Sequence, residues 1–521
     1  MEWNSFYIAI SDPLSDTLTA QGLTYLLGDL LDKQRNPTDS IRIIDCGGYL
    51  RLDLKYPIHE ETIESLSLER FVMGGIRFIE TPKNKAKLPA EMSSVYIENY
   101  EDIKAQNSRF YDTIREGKRG DDLLAKPLIW DVLRAINPAA LPGWNSVLSD
   151  WWKLREVQPL IVRMILEMYS TLPNPVDEMM AQWKALNKEH GWGVSETATC
   201  QQFFNPTQGK GQNRTKADAV SIGNMKGFWL VELLKMVGFY HDAITKTVAG
   251  GKDRKVFVIA PRDIPISDHR EILATFKPTI TSEASASFDI LAALRYSQTL
   301  LNHLQEREDL LRSMMGLPVN QKLVAGFHTA FYLSLGNAVA TMNMSFMALP
   351  GWIVINDADD ITDYNYILSE LIDFTRQFEE KNSDAFTLLQ YLRDFVSGDD
   401  LEAFFKLTTA FSSYLIGMRE RSKYARQLST DTIERIIRMT DAKLSPILDS
   451  AGFQNIAAAI RASTVSAQYR KASGDRLYDI RYGLGRDLNR VADKTKPARF
   501  IAALSEFMSQ YNAENARIFE T

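Results

Sequence analysis

The sequence predicts an α+β protein: a mixed α/β N-terminal region with β-hairpins, followed by an all-α C-terminal helical bundle. Three observations carry that prediction. Short apolar runs flank glycine pairs near the N-terminus, the spacing of hairpins. Charge composition turns over close to Trp352. Beyond Asp360 apolar residues recur at helical spacing, as in Ile367, Leu371, Phe374 and Phe378 and again in Leu388, Leu389, Leu392 and Phe395.

In chain order, residues 6–10 read as a strand and residues 16–32 as a helix bearing Leu18, Leu23, Leu26, Leu27 and Leu30. Residues 41–44 and 50–54 flank Cys46-Gly47-Gly48, and residues 71–73 and 76–79 flank Gly74-Gly75. Both pairs are read as turns, because glycine accepts positive φ without a Cβ clash. Residues 95–187 carry a helical pattern in which Trp130, Trp144, Trp151, Trp152 and Trp183 are expected in the core. A polar opening after Thr199 gives way to an apolar helix over 225–240, then to a strand over 256–259. Residues 265–277 read as a loop, and residues 287–315 and 319–347 as helices. No Asp, Glu, Lys or Arg occurs between Lys322 and Asp357. His328, Asn337, Asn343 and Pro350 interrupt that stretch, so a buried pair of core helices is expected there and not a membrane span.

The second half separates its charges. Residues 357–402 hold 13 Asp and Glu against 3 Lys and Arg, and residues 411–500 hold 17 Lys and Arg against 9 Asp and Glu. The expected domains are 1–355 and a bundle over 360–521, divided in the acidic stretch 356–363. Asp357, Asp359 and Asp360 suit a helix start, where carboxylates meet the positive end of the dipole. Asp431 and Ser463 are expected as further caps.

Against a chain charge of -6, residues 199–261 hold 9 Lys and Arg and 4 Asp and Glu. Asn205, Gln208, Lys210, Gln212, Asn213, Arg214 and Lys216 form an amide-rich, cationic, glycine-jointed segment, with Lys252 and Arg254 beyond it. Such side chains suit phosphates and base edges. Further on, Arg461, Gln468, Arg470, Lys471, Arg481 and Arg486 interleave with tyrosines, a composition that suits a single strand whose bases stack while its phosphates meet arginine.

Standard routes to catalysis are empty. Six histidines show no i, i+4 zinc spacing, and Cys46 and Cys200 make neither a zinc site nor a disulfide framework. Two cysteines point to a reducing, cytoplasmic setting, and Met1 to Asn4 carry no leader-like pattern. Gln208-Gly209-Lys210-Gly211 lacks the preceding glycine and following hydroxyl of a phosphate-binding Walker loop. No cofactor, metal ligand or catalytic residue is therefore expected. Two alternatives stay open: a metal-dependent phosphohydrolase or nuclease using His241-Asp242, and a scaffold binding only proteins.

Ile222-Gly223-Asn224-Met225-Lys226-Gly227-Phe228-Trp229-Leu230, within residues 210–240, resembles the middle of the large subunit of type I CRISPR Cascade complexes, in the I-B or myxobacterial-type branch. Ile460-Arg461-Ala462-Ser463-Thr464-Val465, Gln468-Tyr469-Arg470-Lys471 and Ile480-Arg481-Tyr482-Gly483-Leu484-Gly485 resemble that branch's last domain. The resemblance implies a non-enzymatic protein that reads a protospacer-adjacent motif in target double-stranded DNA, contacts the 5′ handle of the guide RNA and stabilises the displaced strand of the R-loop. It implies a C-terminal bundle like the Cascade small subunit. The implied partners are guide RNA, target DNA, the backbone and handle-binding subunits, small-subunit copies, and a recruited helicase-nuclease or transposition proteins, with no membrane.

Overall fold

The computed structural model describes residues 2–66, 75–82, 96–118, 124–127, 129–207, 225–248, 252–280, 285–334, 339–467, 480–481, 483–493 and 495–520. They form two compact units, one of residues 1–283 and 319–349, the other of residues 284–318 and 350–521. The division does not follow the chain in order, because residues 284–318 leave the first unit and return to it.

The chain runs β1 (Glu2–Ala9), α1 (Pro13–Lys33), β2 (Ile41–Asp45), β3 (Tyr49–His59), α2 (Glu60–Glu64), β4 (Phe78–Glu80), β5 (Ile97–Asn99), α3 (Tyr100–Arg115), α4 (Ile129–Lys153), α5 (Gln158–Tyr169) and α6 (Val176–His190). It continues through β6 (Thr197–Thr199), β7 (Lys226–Phe228), α7 (Trp229–Asp242), β8 (Ile244–Thr247), β9 (Arg254–Pro261), β10 (Asp263–Pro265) and α8 (Ile266–Phe276). After α9 (Ser285–Glu306) and α10 (Glu308–Met314) of the second unit, α11 (Val319–Lys322), β11 (Val324–Ser334) and β12 (Val339–Ala348) complete the first.

Two four-stranded sheets, β1-β3-β2-β10 and β12-β11-β9-β8, are antiparallel throughout. Helix α1 touches strands of both sheets and packs along α7. It is therefore buried nearly all round, from Leu14 to Leu31, as a helix without a polar face must be. Gly22 and Gly238 face each other's helices closely. A Cβ on Gly22 would stand 2.0 Å from the Leu234 carbonyl oxygen, and one on Gly238 2.1 Å from that of Leu18. The expected turn at Gly47 is present, with φ of 86° between β2 and β3. The other expected hairpin falls partly outside the described residues, and β4 pairs in parallel with β5.

Four expectations about local structure are corrected. The uncharged stretch is a β-hairpin, β11 and β12, and not a helix pair. β11 lies between β12 and β9, so both of its edges are hydrogen-bonded; most of its residues are also buried on both faces, so its sequence shows no polar alternation, and an apolar run of that kind does not distinguish strand from helix. Residues 266–276 are helical, held by Ile266, Ile272, Leu273 and Phe276 on a buried face. Ser429, not Asp431, caps its helix, and Ser463 lies inside a π-helical turn. Among the described residues no helix is long and apolar enough to cross a membrane.

His328 on β11 tilts against Phe346, ring centres 5.2 Å apart, and burial holds its imidazole down to about 4 from an ordinary 6.5. The unfolded chain takes up this proton near pH 6.5 while the folded chain refuses it. His328 thus contributes stability above pH 6.5 that is lost as pH falls toward 4, up to about 3 kcal/mol. Urea unfolding at pH 7.5 and 4.5 is expected to show a smaller loss in His328→Gln than in the unaltered chain.

In the second unit α9 packs against α12 (Ala358–Arg376) and α13 (Ser383–Gly398), and α13 against α14 (Leu401–Glu420). Then come α15 (Thr430–Thr440), α16 (Ser445–Leu448), α17 (Ala451–Arg461), α18 (Leu484–Val491) and α19 (Pro497–Glu520). Asp357 caps α12 in a reciprocal box with Asp360, as the acidic run suggests. Trp352, Phe395 and Phe404 form one aromatic chain in the core, and Phe374, Phe378 and Phe411 another.

Candidate nucleic-acid interface

The cationic segment after Thr199 is rooted on a short two-stranded ladder. β6 pairs antiparallel with β7, Thr199 opposite Lys226, and the Cys200 amide donates to the Met225 carbonyl at 3.0 Å. The stretches on either side of the segment are thus hydrogen-bonded to each other. Gln208, Lys210, Gln212, Asn213, Arg214 and Lys216, between those ends, lie outside the described residues.

Asn205 is fully buried and anchors the root. Its Nδ2 donates to Glu232 Oε2 at 2.7 Å, and its Oδ1 accepts from Lys235 Nζ at 2.7 Å; Lys235 also donates to Glu232 Oε1 at 3.0 Å. Both faces of the amide are committed to α7, so Asn205 holds the segment and presents nothing to a ligand in this conformation. The Tyr332 hydroxyl on β11 donates to the carbonyls of Gln202 and Phe203, at 3.0 and 3.2 Å. Burial and the Glu232 carboxylate push the Cys200 thiol up to about 12, which leaves it unreactive.

Lys252 is exposed. Arg254 opens β9 opposite Thr247 and Tyr332 and is only partly exposed. Its Nε and one terminal nitrogen are buried with no hydrogen-bond partner among the described residues. Burial, and then the positive charge of Arg134, hold its guanidinium below the ordinary value. Arg134 lines a cleft of about 150 Å³ with Lys126, Asp131 and Lys246. Asp131 Oδ2 accepts from Lys126 at 3.0 Å and from Lys246.

In the second unit Arg461 is exposed at the end of α17. Arg486 on α18 keeps 80% of its side chain in solvent and Arg490 keeps 78%, each 3.9 Å from Asp487. Arg481 is engaged differently: it donates to Gln510 at 2.8 Å, pairs with Glu514 and lies over the Phe507 ring. It ties α19 to the preceding turn. Gln468, Arg470 and Lys471 lie outside the described residues. Some of the basic excess meets the acidic stretch directly, Arg426 on Asp373 at 2.9 Å and Arg435 on Asp363 at 2.7 Å.

No protein-family model matches this chain, and no curated protein matches it. The site is therefore read from its own chemistry. His241 stacks on Tyr25 with ring centres 4.3 Å apart, and buried Asp242 accepts from the Tyr25 hydroxyl at 2.8 Å. Arg270 covers the other side of Tyr25, 3.9 Å from the ring centre. Among the described residues neither His241 nor Asp242 joins a cluster of three metal-ligand side chains; both sit in a packed seam of α1, α7 and α8.

Sequence reasoning missed Lys126, Asp131, Arg134 and Lys246. They are spread over 121 positions, Lys126 just before α4, Asp131 and Arg134 on it and Lys246 on β8, and the β8–α4 contact brings Lys246 to the others. The short strand Ile244-Thr245-Lys246-Thr247 is buried throughout, and a buried charge requires a partner, but nothing in its composition announces that burial.

Proposed function

We propose that this protein is the non-catalytic large subunit of a type I CRISPR RNA-guided surveillance complex. In this reading it recognises the protospacer-adjacent motif of target double-stranded DNA, contacts the 5′ handle of the guide RNA and stabilises the R-loop. The observation that supports it most is the cationic, amide-rich segment held at both ends by the β6–β7 ladder and by buried Asn205. A motif reader needs an immobile base, because a groove contact tolerates little displacement, and guide pairing supplies the rest of the sequence recognition. Arg461, Arg486 and Arg490 each expose a positive side chain of the kind a displaced strand can meet. Guide RNA, target DNA, the other Cascade subunits and a recruited nuclease or transposition protein are the partners of this reading.

Two pairs of substitutions test it in the complex reconstituted with guide RNA. Lys210→Ala with Arg214→Ala is expected to weaken target-duplex binding at least tenfold and to erase preference for the motif. Arg461→Ala with Arg486→Ala is expected to lower the slope of log affinity against log salt by about 1.4, since each lost contact to a single-strand phosphate removes roughly 0.7. Unaltered affinity, motif preference and salt slope in both variants would remove this function.

A further inference from the structure

We infer that the cleft between α3, α4 and β8 is a subsite for one phosphate-bearing nucleotide, with the phosphate on Arg134, Lys126 and Lys246 and the base against Tyr111. The charges set the sign of the ligand. Three cations share one lining carboxylate, Asp131, and Arg254 lies near enough to Arg134 to feel its charge. Buried cations require counter-charge and acceptors. Asp131 serves two ammonium groups with one oxygen, Oδ2, so an incoming oxyanion completes the set. Planar guanidinium and ammonium donors converging on one space match the several oxygens of a phosphate.

Size and wall chemistry narrow the class. The cleft holds about 150 Å³, well below the roughly 300–1,000 Å³ of sites that enclose a whole organic ligand. A phosphate enters and the remainder stays at the mouth. There Tyr111 is 45% exposed and Ile114 45% exposed, with Phe110 set edge-on to Tyr111 at 5.2 Å. An exposed tyrosine face beside a phosphate seat is the pairing that single nucleotides use, since any base offers a stacking surface. Lys246 adds a dependence on pH. Burial holds its ammonium down to about 8, Asp131 opposing the shift and Lys126 adding to it. Above that pH the seat loses one of its positive charges.

The nucleotide belongs to a bound strand, a point that rests on the function proposed above; the phosphate seat does not. The test uses the purified full chain with AMP, adenosine, inorganic phosphate and a fluorescein-labelled ten-nucleotide single strand. Arg134→Glu and Tyr111→Ala alter exposed side chains, and thermal unfolding checks that both fold. Arg134→Glu is expected to weaken AMP and the strand at least tenfold. Tyr111→Ala is expected to weaken AMP about tenfold, in line with one lost stack, while inorganic phosphate affinity stays within twofold. AMP and strand binding unchanged in Arg134→Glu would overturn the seat, even where Arg461→Ala with Arg486→Ala still weakens duplex binding. Equal affinity for AMP and inorganic phosphate would overturn the nucleotide assignment. AMP binding at this cleft with no strand binding would overturn the assignment to a strand and count against the proposed function, leaving a mononucleotide site.

Discussion

Gly238→Ala is expected to lower the unfolding free energy by about 3 kcal/mol, while Gly28→Ala leaves it unchanged or raises it by up to about 1 kcal/mol. Both glycines are helical, so intrinsic propensity favours alanine at each by roughly 0.5–1 kcal/mol. Space decides the sign. At Gly28 the nearest atoms to a new Cβ are the Thr38 side chain at 3.8 and 4.0 Å, an ordinary contact. At Gly238 the Cβ would meet the Leu18 carbonyl oxygen at 2.1 Å and the Gly22 nitrogen at 3.1 Å. Those are backbone atoms of α1, which is packed against both sheets and does not rotate away as a side chain would. Overfilling a site of this kind costs about 1–3 kcal/mol, occasionally more. Relief requires α1 and α7 to separate along their whole contact, so the upper end is expected. Urea unfolding of the two variants, compared at fixed pH and salt, separates crowding from propensity. Similar midpoints for Gly238→Ala and Gly28→Ala would contradict the close crossing.

That crossing shows what the sequence discloses and what it withholds. The apolar periods of α1 and α7 mark both as helices, but nothing local marks Gly22 and Gly238 as partners, because their meeting depends on residues 216 positions apart. The hairpin at Gly47 is legible because a turn is a local object whose residue needs φ of 86°. Asp357 and Asp360 are legible for the same reason, a cap being made within four residues. The β11–β12 hairpin is not, since β11 is buried on both faces along most of its length and so loses the polar alternation by which strands are recognised. The site divides likewise. Composition points to the 205–216 segment and to the arginines after Ile460. It does not separate Arg486, which keeps most of its surface, from Arg481, which is engaged by α19. Nor does it tell that Asn205 turns inward, because an amide serves a buried carboxylate as well as a base edge.

Lys235→Met is expected to destabilise the protein by about 3–5 kcal/mol, and Glu232→Gln added to it is expected to restore at least half of that. Glu232 is 1% exposed, and its neighbours are Asn205 and the Lys235 ammonium. Removing the ammonium leaves a buried carboxylate without its counter-charge and the Asn205 carbonyl without its donor. Breaking a buried pair from one side costs in this range, while replacing both members is far milder. Glutamine at 232 removes the charge and still offers an acceptor to Asn205 Nδ2 and a donor toward its Oδ1. Chemical denaturation of the two singles and the double gives the coupling directly. The same set tests how the cationic segment is aimed, because Asn205 is its buried post. At a temperature where Lys235→Met remains folded, proteolysis within residues 200–225 should quicken. In the reconstituted complex, preference for the motif should fall more than total affinity, since exposed Arg461 and Arg486 still hold phosphate. Adding Glu232→Gln should reverse both effects together. Recovery of stability without recovery of motif preference would separate the anchor from the reader and assign the Glu232–Lys235–Asn205 cluster to the fold alone.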